Sequence, residues 1–133
     1  MDTPRVTHVY SYCNDLAAAR AFYEGVLGLP VTVQYDSFIE FDLGVKYAFF
    51  LAPDMPVKAA AFSSVPGWQG DGAQAALCAI HCTRPQLDAL RDALAAAGAR
   101  FTEPALRDGA WEMRALDPMG NTVELYAICA DAP

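Results

Sequence analysis

Apolar residues in the first half of the chain follow two spacings. After a possible N-cap at Asn14 or Asp15, the apolar positions Leu16, Ala19, Tyr23, Val26 and Leu27 recur at helical spacing until Gly28, which predicts an amphipathic helix. Short apolar runs with strand-like character surround that helix. The predicted strands are Val6–Cys13, Pro30–Tyr35, Ser37–Leu43 and Val45–Ala52.

The second half repeats this order about 70 residues later, with Gly98 in the place of Gly28. Thr83 and Gln86 have the spacing of a capping box, which predicts a helix N-terminus there. The apolar stripe of this second helix is Leu87, Leu90, Leu94 and Ala97. The predicted strands are Ala75–Cys82, Arg100–Leu106, Ala110–Leu116 and Asn121–Ile128, with a tight turn at Asp117–Gly120.

The repeat predicts an α+β fold of two tandem βαβββ modules. Module one spans about residues 4–52 and module two about residues 75–128, within a single domain of residues 1–133. Residues 53–74, rich in Pro, Gly and Ala, are a linker or a lid. Each module has one helix for one sheet face, so two curved sheets are expected to form a cup for a small molecule.

Composition narrows the possible partners. Hydrophobic residues make up 54% of the chain and charged residues 19%, which is typical of a globular protein. The net charge of -7 and the scattered basic residues argue against nucleic acid and anionic membranes. The four cysteines show no CxxC spacing, which favours reduced thiols and a cytoplasmic location.

Three segments resemble the glyoxalase/bleomycin-resistance/extradiol-dioxygenase superfamily, also called vicinal oxygen chelate proteins. NDLAAARAFYEGVLGLPV is similar to the first helix of that family, QLDALRDALAAAGARF to its second helix, and LDPMGNTVELYAI to its closing hairpin. The resemblance implies the paired βαβββ fold and a homodimer. It does not fix the function, because this fold hosts metalloenzymes and metal-free drug binders.

The resemblance implies up to four metal-ligand positions. Two of them hold suitable residues, His8 on the first strand and Glu124 on the last, and these are expected to converge. The other two fall at Phe50 or Leu51 and at Ala79, which are not ligands. His81 has the same strand parity as Ala79, so a shifted register would complete a two-His-one-carboxylate set. The expected cofactor is therefore none, or a weakly bound Zn, Fe, Ni or Mn ion.

Aromatic residues suggest what the cup binds. By strand alternation Tyr10 and Tyr12 share the face of His8, and Tyr126 shares the face of Glu124. With Trp68 and Trp111, they are the predicted contacts of an aromatic or apolar ligand. Sequestration of such a ligand is the leading interpretation. The alternative is a metal-dependent enzyme with Glu124 as a catalytic residue, either a glyoxalase-type lyase or isomerase or a non-haem iron extradiol dioxygenase.

Overall fold

The computed structural model describes residues 3–57 and 76–129, and these two ranges belong to two compact units, unit one and unit two. In unit one the elements are β1 His8–Cys13, α1 Leu16–Arg20, a π-helical segment Ala21–Val26, β2 Val31–Gln34, β3 Phe38–Asp42 and β4 Lys46–Leu51. In unit two they are β5 Ala76–His81, α2 Arg84–Ala96, β6 Ala105–Arg107, β7 Ala110–Leu116 and β8 Thr122–Ile128.

The two units have the same sheet topology. The strand order is β1-β4-β3-β2 in unit one and β5-β8-β7-β6 in unit two. In each unit the first strand pairs in parallel with the last, and the remaining pairs are antiparallel. This arrangement confirms the prediction of two tandem βαβββ modules in an α+β fold.

Side-chain caps fix where the helices begin. Asp15 accepts a hydrogen bond from the Ala18 backbone N–H at 3.1 Å, and Thr83 and Gln86 form the predicted capping box. These caps satisfy backbone donors that the first helical turn leaves without a partner. The first helix then widens, because Leu27 N–H donates to the Phe22 carbonyl, five residues back, at 3.0 Å.

Each sheet buries one face against its own helix. In unit one the ring of Tyr23 lies 5.4 Å from Phe41 and 5.0 Å from Phe49, and both phenylalanines are fully buried. In unit two α2 packs on β8, and Leu87, Leu94 and Leu125 are completely buried. Removing this apolar surface from water is the main stabilising contribution in either unit.

The strand predicted at Arg100–Leu106 was largely wrong. The strand itself is Ala105–Arg107, and residues before it are held to β7 by single contacts, including a bridge between Phe101 and Ala115. Pro104 lies between these two parts, and its missing N–H interrupts a continuous ladder.

The Asp117–Gly120 turn is confirmed, and Asp117 organises it. Its Oδ1 accepts from the backbone N–H of Met119 at 2.9 Å and of Asn121 at 2.8 Å, while its Oδ2 accepts from the Asn121 side-chain amide. These bonds satisfy a buried carboxylate within the hairpin that carries β8.

Across residues 3–57 and 76–129, helices are too short or too polar to cross a membrane.

Candidate functional site

The face of the first sheet away from its helix is lined by alternate residues of three strands. We call it the helix-free face of unit one. The register aligns its members in three rows across β1, β4 and β3. The rows are His8, Lys46 and Asp42; Tyr10, Ala48 and Glu40; and Tyr12, Phe50 and Phe38.

Phe50 is the centre of an aromatic cluster on this face. Its ring centroid lies 5.1 Å from that of Tyr10, 6.3 Å from that of Tyr12 and 5.4 Å from that of Phe38. Tyr35 extends the cluster, 5.0 Å from Phe38. Tyr10 is 60% exposed and Tyr12 is 55% exposed, so these rings offer π faces and edges rather than filling a core.

A polar group stands beside the aromatic cluster. His8 Nε2 lies 3.2 Å from Glu40 Oε1, and Thr32 Oγ1 donates to Glu40 Oε2 at 2.7 Å. His8 Nδ1 lies 3.0 Å from the hydroxyl of Thr7. Because a carboxylate only accepts, the contact with Glu40 places the imidazole proton on Nε2.

The His8–Glu40 pair spans β4. These residues belong to β1 and β3, which lie on opposite sides of β4 and so are roughly 10 Å apart. Ala48, which pairs with Glu40 across the ladder, is 1% exposed. Its methyl group leaves room for the two longer side chains to meet above the middle strand.

Glu40 is absent from the site residues predicted from the sequence. The strand sequence FIEFD was the available signal. A glutamate flanked by two buried apolar residues must find hydrogen-bond partners, and the pattern could have been followed to that conclusion.

The two ladders correct the alignment of the family positions. Tyr12 pairs with Phe50 directly before the buried Cys13, and His81 pairs with Tyr126 directly before the buried Cys82. Phe50 therefore corresponds to Tyr126.

It follows that Glu124, which pairs with Ala79, corresponds to Ala48 and not to Phe50 or Leu51. The predicted position Phe50 on β4 was thus two residues off. On β5 the register shifts between Ala76 and Cys78, so the predicted counterpart of His8, Ala79, stays a prediction. Alanine offers no metal ligand at either position.

The helix-free face of unit two is more polar. Glu124 pairs with Ala79 on one side and with Arg114 on the other. In the next row Tyr126 pairs with His81 and Glu112, and the rings of His81 and Tyr126 are 5.1 Å apart. His81 and Glu124 therefore share this face, on adjacent strands.

Glu124 is half-buried, and this raises its pKa above the ordinary value of 4.5. Burial is the largest cause, and the negative charge of Glu112 adds to it, while Arg114 acts in the opposite direction. Glu112 itself accepts a 3.0 Å contact from the Arg107 guanidinium. Glu124 thus favours its protonated form more than an exposed glutamate does.

The structure separates the predicted aromatic contacts. Tyr126 lies on the face of Glu124, but Trp111 pairs with the buried Ala127 on the helix-covered face. The guanidinium of Arg84, at the start of α2, lies 4.3 Å from the Trp111 ring centre. Trp111 thus has a packing partner of its own, and its ligand contact stays a prediction. Trp68 lies outside the described residues.

A cavity of about 220 Å³ borders β6 and β7 in unit two. Its lining is mostly charged or polar, with the ion pair of Arg107 and Glu112 at one wall. The lining residues are Thr102, Glu103, Ala105, Arg107, Glu112, Met113 and Arg114.

The described residues do not gather a three-ligand site for a divalent ion. In residues 3–57 and 76–129, no three His, Cys, Asp or Glu side chains are grouped so that they could hold one. His8 already directs Nε2 to Glu40. The convergence of His8 and Glu124 stays a prediction, because they belong to different units.

A family model covers nearly the whole chain. The model for the Glyoxalase/Bleomycin resistance protein/Dioxygenase superfamily matches residues 5–125. The chain belongs to this superfamily. No curated protein matches the chain significantly.

Solved structures of other superfamily proteins share the fold. A glyoxalase/dioxygenase from Nostoc punctiforme is 16% identical with a TM-score of 0.71, covering 93% of this chain and 90% of that one. The fosfomycin resistance protein FosX from Listeria monocytogenes is 14% identical with a TM-score of 0.69, covering 95% of this chain and 94% of that one. The TM-scores show a shared fold, and identities this low leave the activity open.

Replacing Glu124 by Gln is expected to raise stability near neutral pH. The raised pKa means that the folded state keeps this proton to higher pH than the unfolded state, so stability falls as pH rises from 4.5 through the folded pKa. Glutamine removes that loss. The midpoint of urea unfolding at acidic and neutral pH measures the effect.

Glu103→Gln is the matched control with the opposite sign. The hydrogen bond from Arg91 lowers the pKa of Glu103, so its ionised form stabilises the fold above the unfolded pKa, and this contribution disappears as pH falls. Glu103→Gln should therefore lower the midpoint at neutral pH. A Glu124→Gln variant that loses as much as the control would contradict the assignment.

Ala48→Glu tests the space beneath the His8–Glu40 pair. A longer, charged side chain at this buried position is expected to cost about 1–3 kcal/mol or more, through overpacking and carboxylate burial. Ala48→Ser, with a small side chain, should cost less. Urea unfolding compares the two variants. An Ala48→Glu protein of unchanged stability would show that the site accepts the carboxylate.

Proposed function

We propose that this superfamily member binds a planar aromatic small molecule on the helix-free face of unit one and works without a tightly held metal. The cluster around Phe50 carries the proposal. Four rings on three strands are within about 6 Å of a neighbour, and two of the tyrosines are more than half exposed. Such clusters bind flat apolar ligands by stacking and by removing apolar surface from water.

The arrangement of polar groups supports binding in preference to metal chemistry. Of the four metal-ligand positions of the superfamily, the two besides His8 and Glu124 hold Ala48 and Ala79, whose side chains donate no electron pair. His8 is the remaining candidate in unit one, and its Nε2 is engaged by Glu40. A catalytic metal normally needs three protein ligands and an open position.

A metal-dependent activity is the second candidate. It is favoured by the placement of His81 and Glu124 on one face of unit two, on adjacent strands. With His8 they would supply the two-His-one-carboxylate set of a non-haem iron dioxygenase, or the ligands of a glyoxalase-type lyase or isomerase. Glu124 would then be both ligand and catalytic residue.

We further propose a cytoplasmic homodimer. The location rests on the four cysteines, all of them free thiols in the structure, which suit a reducing compartment. The pairing of copies rests on the resemblance to the superfamily. Size-exclusion chromatography with light scattering measures the molar mass in solution, and hence whether the chain is a dimer.

Tyr12→Ala should weaken binding of a planar aromatic probe such as naphthalene. Loss of one stacking ring is expected to raise Kd about twofold to twelvefold, since an aromatic pair contributes about 0.5–1.5 kcal/mol. Because Tyr12 is 55% exposed, the fold should be unaffected. Fluorescence titration gives Kd.

The matched control is Leu106→Ala, which removes an apolar side chain of similar exposure, 57%, from unit two. Kd should stay at the parent value in this variant. Equal losses in the two variants would contradict an aromatic site in unit one, as would naphthalene binding that Tyr12→Ala leaves unchanged.

Protein purified without added ion is expected to carry substoichiometric Zn, Fe, Ni or Mn. The reason is the missing ligand at Ala48 and at the counterpart of His8. Elemental analysis by mass spectrometry measures the content. Near-stoichiometric iron that is lost in His81→Ala would favour the dioxygenase instead.

A further inference from the structure

We infer that Glu40 selects the ligand, and that the preferred ligand is a planar aromatic molecule bearing a hydrogen-bond donor, such as a phenol or an aromatic amine. The inference rests on the proposed aromatic site and adds its specificity. The metal-ligand positions of the superfamily do not include Glu40. They lie on the first and last strands of each module, whereas Glu40 lies on β3.

The carboxylate of Glu40 is held next to the aromatic cluster. Glu40 and Tyr10 lie in one row of the sheet, either side of Ala48, and the Phe50 ring belongs to the adjacent row. A ring stacked on Tyr10 and Phe50 would therefore place an edge substituent toward Glu40.

Glu40 still has capacity to accept. One oxygen contacts His8 and the other accepts from Thr32, whereas a carboxylate offers about four lone-pair sites. Its side chain is 12% exposed, which leaves an approach for a small donor. Two existing partners also fix its orientation, so a ligand pays little further ordering entropy.

The charges on this face favour a donor over an anion. Glu40 is joined by Asp42, and the one lysine of the face, Lys46, is already 3.5 Å from Asp42. A ligand carboxylate would approach a surface where the acidic groups outnumber the lysine, in a chain of net charge -7. A neutral hydroxyl or amino group meets no such repulsion.

Three naphthalene derivatives test the selection on the full chain near neutral pH, with naphthalene as the reference. They are β-naphthol, β-methoxynaphthalene and β-naphthoate. The hydroxyl can donate, the ether cannot, and the carboxylate is anionic. A hydrogen bond to a charged acceptor predicts that β-naphthol binds about tenfold or more tightly than the ether, and β-naphthoate most weakly.

Glu40→Gln should reduce the preference for β-naphthol over the ether several-fold, because a neutral amide oxygen accepts a weaker hydrogen bond than a carboxylate does. Asp42→Asn, on the same strand and face but in the next row, is the control and should keep the preference. Thr32→Val, which removes a hydroxyl that orients Glu40, should reduce the preference and provides the test if Glu40→Gln does not fold.

The outcomes separate the two proposals. If naphthalene binds and β-naphthol is no tighter than the ether, the selection by Glu40 is overturned and the aromatic site stands. Tightest binding of β-naphthoate overturns the selection as well. If none of the four probes binds, the aromatic site fails and the selection fails with it.

Discussion

A four-stranded sheet has two faces, and each module of this chain has one helix to cover one of them. This constraint determines on which sheet face each described candidate residue lies. In unit one α1 and the π-helical segment cover the face of Phe41 and Phe49, and in unit two α2 covers the face of Leu125. The other face of each sheet receives the alternate residues, which include the ionisable candidates His8, Glu40, His81 and Glu124.

The constraint explains why two similar modules differ in chemistry. Equivalent rows contain Tyr10, Ala48 and Glu40 in unit one but Ala79, Glu124 and Arg114 in unit two. The carboxylate of this row is on the last strand, β8, in unit two. In unit one it is on β3, the neighbour of the last strand β4. In unit one the small Ala48 lets Glu40 reach His8, and the histidine is held by a carboxylate of its own module.

Periodicity and turn chemistry were sufficient to predict the fold. The capping box at Thr83 and the glycines at 28 and 98, both with positive φ, mark the helix ends that define the repeat. Those signals are local, so they can be read from adjacent residues. The β6 prediction failed because Pro104 interrupts the ladder, an effect that depends on which backbone groups face β7.

The site was less predictable because it depends on cross-strand register. Alternation placed Tyr10 and Tyr12 on the face of His8. The contact between His8 and Glu40, however, joins two residues 32 positions apart in the sequence, on β1 and β3, across β4. A two-residue error in strand alignment put Phe50 in the place of Ala48. An error of two residues leaves a side chain on the same sheet face but changes the residue that it pairs with. The alternating sequence pattern therefore could not reveal it.

The state of the His8 imidazole tests the account most directly. The chain has only two histidines, so ¹⁵N–¹H spectra of the ring nitrogens can be assigned with a His81→Gln variant. We expect a proton on Nε2 of His8 in the parent protein and loss of this tautomer preference in Glu40→Ala. We also expect ring shifts that do not change when an equimolar amount of Zn²⁺ is added. Proton placement on Nδ1 of His8, or a large shift of its Nε2 with equimolar Zn²⁺, would contradict it.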